Sequence, residues 1–465
     1  MIKLRFDQLA AITGGRVHRA ADRTASFRGV SIDTRTLAAG ELYVAIRGEK
    51  HDGYEFVAQA LERGAAGILA EFDHPELARL AGDTPVITVP HTHEAMIALA
   101  RHYRHTVAAR FVGITGSNGK TTTKELTYRL LAAVEPRAYR SPGNLNNLYG
   151  VPLAIFRIPA DCRAAVMEMG ISTDVEMPRL AEIVQPDAVA ITNVSATHLE
   201  FLGTVEAVAQ AKLELVRGAR PGAPAVINAD DPVLAAEAKK VRSDYVTFAL
   251  DRAADFRPDA WGIDDAGMMT VVLEGRTFRM PLVGKHQVYN LTCAYALFRS
   301  LGYRFDGVET AQIELASAPM RGQLVARGGV RVLVDCYNAN PENVRAGLAG
   351  FFALPTAGRR VVVLGDMLEL GPESPRYHRE SGAVLARYPF DLAVLVGPRS
   401  RETLEGAVAS GADRGRLRHC ADAAGCAKEI AAIVQKNDLV YLKASRGIGL
   451  EAVLNGLGEP GEEVL

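Results

Sequence analysis

Apolar and polar positions along the chain follow two alternating rhythms. Short β-branched or aliphatic runs recur, and most lead into a stretch where apolar residues return every third or fourth position. Tyr54 to Arg63 predicts a helix, Gly64 its stop, and Ala66 to Ala70 a strand. Thr84 to Pro90 reads as a boundary, and a helix carrying Met96, Leu99 and Tyr103 leads into a strand at Phe111 to Thr115. A helical pattern with Lys124, Leu126, Leu130 and Leu131 follows. Further strands are expected at Ala164 to Met167, Ala188 to Thr192 and Ala225 to Ile227. Gly284 to Asn290, ahead of an alanine-rich helix, reads as a helix start with polar loop residues. The last third predicts strands at Val330 to Asp335, Val361 to Leu364, Leu392 to Val396 and Leu439 to Leu442, with a helix at Pro341 to Phe352. Strands alternating with helices imply parallel α/β sheets. The expected organisation is α/β in three segments: a small module over 1–88, a central segment over 89–317, and a second doubly wound segment over 318–465.

Composition agrees with several cores and excludes some functions. A chain of 465 residues exceeds one core, and 48% hydrophobic with 23% charged residues is ordinary for a globular protein. A net charge of −1 gives no overall field for nucleic acid or a membrane surface. The start, MIKLRFDQLA, lacks a signal-peptide apolar core, and no apolar run is long enough to span a bilayer. Cys162, Cys293, Cys336, Cys420 and Cys426 form no CxxC pair, which suits a reducing compartment, and the cytoplasm is expected.

The chemistry concentrates at FVGITGSNGKTTT, Phe111 to Thr123. A strand, a turn through Gly116, Ser117, Asn118 and Gly119, and a helix start make a phosphate cradle, because backbone N–H groups and the helix dipole face an anion. Lys120 would reach the β- and γ-phosphates and the Thr121 hydroxyl would ligate Mg²⁺, with Thr122 beside them. The generic pattern wants glycine at Ile114; the glycines here are Gly113, Gly116 and Gly119. Strand ends are where open α/β sheets bind ligands. Glu168 ends one strand and suits a metal ion as a carboxylate; His198 follows the end of another at Asn193. Asn146 and Asn147 lie in a loop rich in Asn, Gly and Pro, and Lys212 lies on an amphipathic helix. Lys443 and Arg446 follow a buried strand and suit a carboxylate or phosphate. Each of these residues taken singly is also what a plain turn or a solvated helix face carries. A nucleotide-driven switch or motor ATPase shares the loop, but would need a Walker-type aspartate.

The motifs TGSNGKTTT, MEMG, NVSATHLE, AKLEL, GKHQVYN, PMRGQ, DCYNANPENV, GDMLELG and LKASR occur in that order between residues 31 and 446. In this combination the chain resembles the Mur ligases of peptidoglycan synthesis. GNLNNLYGVPL, YNANP and GDMLELG resemble the member that joins D-alanyl-D-alanine to UDP-N-acetylmuramoyl-tripeptide, rather than those adding diaminopimelate, lysine or folate-linked glutamate. The resemblance implies an N-terminal UDP-substrate domain, a central ATPase domain of the P-loop type and a Rossmann-like C-terminal domain, in a monomer using ATP and Mg²⁺. It implies that Thr121 and Glu168 hold one Mg²⁺ and His198 a second, and that Lys212 is the lysine the family carbamylates. It places Asn290 on adenine, with Arg321 and Asp335 reaching ATP when the C-terminal segment closes. Asp33, Arg35, His51, Asp52 and Gly53 would face the UDP part, and Asn146 and Asn147 the peptide-bearing substrate. Asn338, Asn340, Lys443 and Arg446 would lie near the dipeptide. Three positions depart from the pattern: Val334 replaces an aspartate, Gln323 an arginine and Ala444 a glycine.

Overall fold

The computed structural model describes residues 1–19, 25–48, 51–72, 84–195, 202–264, 268–306, 312–314 and 320–457. His198 lies outside them. The chain divides into two compact units, one holding Met1–Thr115, Leu131–Ala190 and Lys212–Ala225, the other Gly116–Leu130, Ile191–Ala211 and Val226–Leu465.

In the first unit a five-stranded sheet has the order Arg16–Arg19, Val86–Val89, Gly67–Glu71, Leu42–Val44, Val30–Ser31. All pairings are parallel except the first. Tyr43, Ala45, Ile68, Ala70 and Val86 form its core with Tyr54, Val57 and Ala60 of the neighbouring helical segment. That segment is a 3₁₀ turn, Gly53–Phe56, running into the helix Val57–Glu62. Gly64 sits at φ +84°, which glycine adopts without steric cost, and ends it as expected. The same unit carries the strands Ala188–Ile191, Arg110–Thr115, Ala164–Glu168 and Ala138–Arg140 side by side in that order.

The second unit contains the parallel pair Ala225–Asn228 and Val246–Phe248 and two further sheets. One has four strands: Ala260–Ile263, Met269–Leu273, Arg276–Met280 and Gln312–Glu314. The sequence reading did not anticipate it. Its hairpin signal is short: Glu274 and Gly275, at φ +49° and +74°, turn an alternating strand back on itself. The other is six-stranded, in the order Gln323–Arg327, Val330–Asp335, Leu439–Lys443, Arg360–Gly365, Leu392–Val396, Leu417–Cys420. Its first pair is antiparallel and the rest parallel. Successive residues of one strand enter different cores. Leu333, Tyr441, Val362 and Leu395 pack on one face, and Val332, Val440, Val363 and Val394 on the other. Burial of both faces makes each strand a continuous apolar run, which is why these strands were legible.

All five cysteines are free thiols and buried. Burial raises each of them, Cys162 to about 11 and Cys336 and Cys420 to about 12. Among the described residues no helix is long and apolar enough to cross a membrane.

Candidate active site

The glycine turn is shaped by the neighbouring strand end. Gly116 and Gly119 have φ of +152° and +82°. A Cβ at the first would overlap Thr192 Oγ1, and one at the second Asn290 Oδ1. Asn193 holds the turn in three ways. Its carbonyl accepts from Ser117 N at 2.9 Å, its Oδ1 accepts from Asn118 N at 2.9 Å, and its Nδ2 donates to the Asn118 carbonyl at 3.1 Å. Thr192 Oγ1 donates to the same carbonyl at 2.6 Å. The helix Lys120–Ala132 then begins directly at the turn, presenting its N-terminal end. Lys120 Nζ donates to the carbonyls of Gly116 at 2.7 Å and Ser117 at 3.2 Å, so its ammonium lies across the mouth of the loop. Thr121 and Thr122 are buried in the first turn. Sequence reasoning noted Asn193 as a strand end but gave it no role; its position one strand beyond the loop was the available signal.

Beside the turn, within the same unit, lies a cavity of about 810 Å³ lined in part by Asn118, Gly119, Tyr289, Asn290 and Glu342. Apolar side chains, among them Phe248, Trp261 and Met269, also line it. Asn290 stands in the second turn of the helix Lys285–Ser300, within the helix start expected at Gly284 to Asn290. Gly284, at φ +108°, is the helix cap, and the polar residues after it are compatible with helix. Asn290 Nδ2 donates to Gln287 Oε1 at 2.9 Å, and its Oδ1 accepts from Thr123 Oγ1 at 3.4 Å. Tyr289 donates its hydroxyl to Asp230 at 2.8 Å. Burial pushes Asp230 up, but the N–H groups of Asp251, Leu250 and Arg252 and the Tyr289 hydroxyl hold it below its ordinary range.

His286 lines the same cavity. Burial lowers it from 6.5 to about 4, with Asp335 pulling up and Lys443 down. The folded chain therefore binds this proton more weakly than the unfolded chain. Stability present above pH 6.5 is lost as pH falls toward 4. Between pH 7 and 5 the loss from this one residue should be about 2 kcal/mol. Urea unfolding of the wild type should show it, and His286→Gln should flatten the slope. A wild-type midpoint unchanged between those pH values would contradict it.

The strand ends of the six-stranded sheet meet the turn. Asn340 caps the helix Pro341–Ala353 through Asn343 N, and its Nδ2 donates to Asn118 Oδ1 at 2.8 Å. Asn118 Nδ2 donates to Glu342 Oε2 at 3.0 Å. Glu342 is exposed and lines the cavity; partial desolvation by the protein around it raises its carboxyl despite bonds from Ser195 and Asn118. Asp335 and Lys443, expected at ATP and at the dipeptide, form an ion pair with each other at 2.7 Å. Arg321 stacks over Tyr337 at 3.9 Å, Asn338 is exposed, and Arg446 pairs with Glu451.

In the first unit Glu168 is 2% exposed. Its Oε1 accepts from Asn146 Nδ2 at 2.8 Å, which joins two expected site residues. Lys212 is also 2% exposed, unusual for a helix lysine, which is normally solvated. Asn147 Oδ1 accepts from Tyr149 N at 3.2 Å and Gly150 N at 2.8 Å, just ahead of the helix Gly150–Phe156. Asp33 is held below the usual carboxylate range by Arg35, its partner at 2.7 Å. His51 is exposed, Asp52 accepts from Tyr54 N at 3.0 Å, and a Cβ on Gly53 would overlap the Ile46 backbone. Among the described residues no three His, Cys, Asp or Glu side chains gather as a metal site. In this unit Glu168 offers a hard carboxylate oxygen, the kind of donor magnesium takes one or two at a time.

Three family descriptions match the chain: "Mur ligase family, catalytic domain" over residues 26–104, "Mur ligase middle domain" over 114–298 and "Mur ligase, glutamate ligase domain" over 320–446. The UDP-N-acetylmuramoyl-tripeptide--D-alanyl-D-alanine ligase of Bacillus subtilis (strain 168) is 31% identical over 461 residues, 99% of each chain. MurF from Acinetobacter baumannii has a similar crystal structure, with a TM-score of 0.84 at 25% identity, covering 98% of this chain and 99% of that one. MurF ligase from Thermotoga maritima in complex with ADP gives a TM-score of 0.79 at 28% identity over 92% and 97% of the two chains. A phosphate loop braced by Asn193, a YNANP segment bonded to it and likeness along the full length have one source: the chain belongs to the Mur ligase family, with its N-terminal, middle and C-terminal domains.

Proposed function

We propose that the chain joins D-alanyl-D-alanine to a UDP-N-acetylmuramoyl-tripeptide, forming an amide at the expense of ATP. The observation that carries this reading is the full-length similarity to a relative bearing that name, together with the phosphate loop that such a reaction needs. A neighbour bound to ADP supports a nucleotide at the loop.

A free carboxylate is a poor acyl donor. In the proposed reaction the tripeptide's terminal carboxylate oxygen attacks the γ-phosphorus and the bond to the β-bridging oxygen breaks, leaving ADP and an acyl phosphate. The dipeptide amine then attacks the acyl carbon. The tetrahedral intermediate expels phosphate, and the nitrogen gives up a proton. Little covalent work falls to the protein, so positioning and charge stabilisation carry the rate. The first turn at Lys120 and the Lys120 ammonium face the phosphates, and Asn290 the base. By the family resemblance Thr121, Glu168, His198 and a carbamylated Lys212 are each candidates to hold magnesium, and such ions would offset charge on the transferring phosphoryl oxygens.

The other assignments belong to the same reading: Asp33, Arg35 and the His51–Gly53 loop at the UDP end, Asn146 and Asn147 at the peptide end, Arg321 and Asp335 at the nucleotide, and Asn338, Asn340, Lys443 and Arg446 near the dipeptide. Domain breaks near residues 88 and 317 are part of it too, the second supported by the gap between matched segments ending at 298 and starting at 320. A reaction fed by ATP belongs in the cytoplasm.

The test is a single assay. Purified protein, ATP and Mg²⁺ are mixed with a panel of UDP-peptides and D-alanyl-D-alanine, and product mass and phosphate are measured. Phosphate release should depend on both acceptor and donor, and the product should gain the dipeptide mass. Release indifferent to both would favour a plain ATPase.

A further inference from the structure

Three loops leave adjacent strands at one edge of the six-stranded sheet, because Asp335 pairs in register with Lys443, and Lys443 with Leu364. They are Cys336–Asn340, Asp366–Leu370 and Ala444–Gly449. The carboxyl edge of a parallel sheet is where such folds bind ligands. The first loop is tied to the phosphate turn through Asn340 and Asn118. Ser445 ties the other two to it: Ser445 Oγ donates to the Ala339 carbonyl at 3.4 Å and accepts from Leu368 N at 2.9 Å. His378 accepts from Met367 N at 3.0 Å through Nε2, while its Nδ1 faces the Ser374 carbonyl at 2.7 Å. Two consecutive backbone N–H groups of the middle loop are thus held by buried side chains from elsewhere.

The residue this clamp presents is Glu369. It lies at φ +62°, a region that residues other than Gly, Asn and Asp seldom adopt. It is exposed, and it makes no hydrogen bond or ion pair among the described residues. The other carboxylates around these loops are engaged. Asp335 pairs with Lys443, Asp366 accepts from Ser400 N and Arg399 N, Glu342 accepts from Asn118, and Glu451 pairs with Arg446. A dipeptide acceptor is a zwitterion and needs an anion for its ammonium group and a cation for its carboxylate. The neighbouring loop carries Arg446, whose side chain is 53% exposed although paired with Glu451, so a dipeptide carboxylate would share or replace that partner.

We propose that Glu369 binds the ammonium group of the incoming dipeptide, and that the His378 and Ser445 clamp holds it in the left-handed conformation that aims it there. This rests on the ligase reading above and adds to it a residue that selects the acceptor.

The test compares Glu369→Asn, Glu369→Gly and Glu369→Asp with the wild type in product formation. Asparagine and glycine tolerate this conformation better than glutamate, so both variants should melt no lower than the wild type. The KM for D-alanyl-D-alanine should rise about tenfold or more in both, as one charge-assisted hydrogen bond is lost. The KM values for ATP and the UDP-tripeptide should not move, and Glu369→Asp should recover most of the loss. Propionyl-D-alanine, which lacks the amine, should inhibit wild type and Glu369→Asn equally. Unchanged dipeptide KM in the Asn and Gly variants would overturn the proposal, as would a parallel rise in all three KM values, which marks a distorted loop. A wild type that forms no product with any UDP-peptide would overturn the ligase reading itself, and this proposal with it.

Discussion

Lys120→Ala is expected to lower kcat/KM for product formation about 1000-fold, with little change in folding. Lys120 Nζ now rests on the carbonyls of Gly116 and Ser117. Those contacts are the ones a phosphate oxygen would replace, so the ammonium changes partners at small cost when nucleotide arrives. Removing it leaves charge on the transferring phosphoryl group with one fewer counter-charge at the moment that charge shifts, and a donor of this kind is worth two to three orders of magnitude by about the same measure. The lost hydrogen bonds to two loop carbonyls should cost only about 1 kcal/mol of stability, since water can take their place. Steady-state phosphate release and thermal melting, measured on the same sample, check both halves. A variant with wild-type turnover would mean that the loop is not where ATP reacts.

The second large effect concerns stability. Asp335→Ala should destabilise the chain by about 3 kcal/mol. The Lys443 side chain is 3% exposed and its ammonium lies 2.7 Å from Asp335, which also accepts from the Tyr441 hydroxyl at 3.3 Å. Deleting the carboxylate strands a charge between two strands of a sheet that is otherwise apolar on both faces. Lys443→Met alone should cost less, because Asp335 is 17% exposed and can be solvated. The double variant Asp335→Ala/Lys443→Met should recover part of the loss, as replacing a whole buried pair is milder than breaking it. Urea midpoints for the four proteins form the cycle. Additive losses in the double variant would show that the two side chains do not interact. Activity should fall in all three variants, which separates nothing, so stability is the informative readout.

Much of this architecture was legible because burial leaves strong marks on sequence. The strands around Val361, Leu392 and Leu439 are unbroken apolar runs, and the phosphate turn is announced by glycines at positions where any side chain would collide with Thr192 or Asn290. What stayed hidden depends on contacts between distant residues. The sheet formed by Ala260–Ile263 and its neighbours rests on strands of three to five residues and a two-residue turn, too short a signal to stand out among polar neighbours. The bracing of the loop by Asn193 and the bond between Asn118 and Asn340 span about 75 and 222 residues of sequence, and no local pattern could foretell them.

The buried thiols have a practical corollary. With burial holding every one of them above its ordinary range, almost none is thiolate at neutral pH, and alkylating reagents must wait for a breathing motion to expose it. The five sites sample separate neighbourhoods: Cys162 beside the strand that ends at Glu168, Cys293 inside the helix that carries Asn290, and the remaining three around the last sheet. Labelling rates read by mass spectrometry would then time the opening of each region separately, with no engineered probe, and adding nucleotide would reveal which neighbourhoods it quiets.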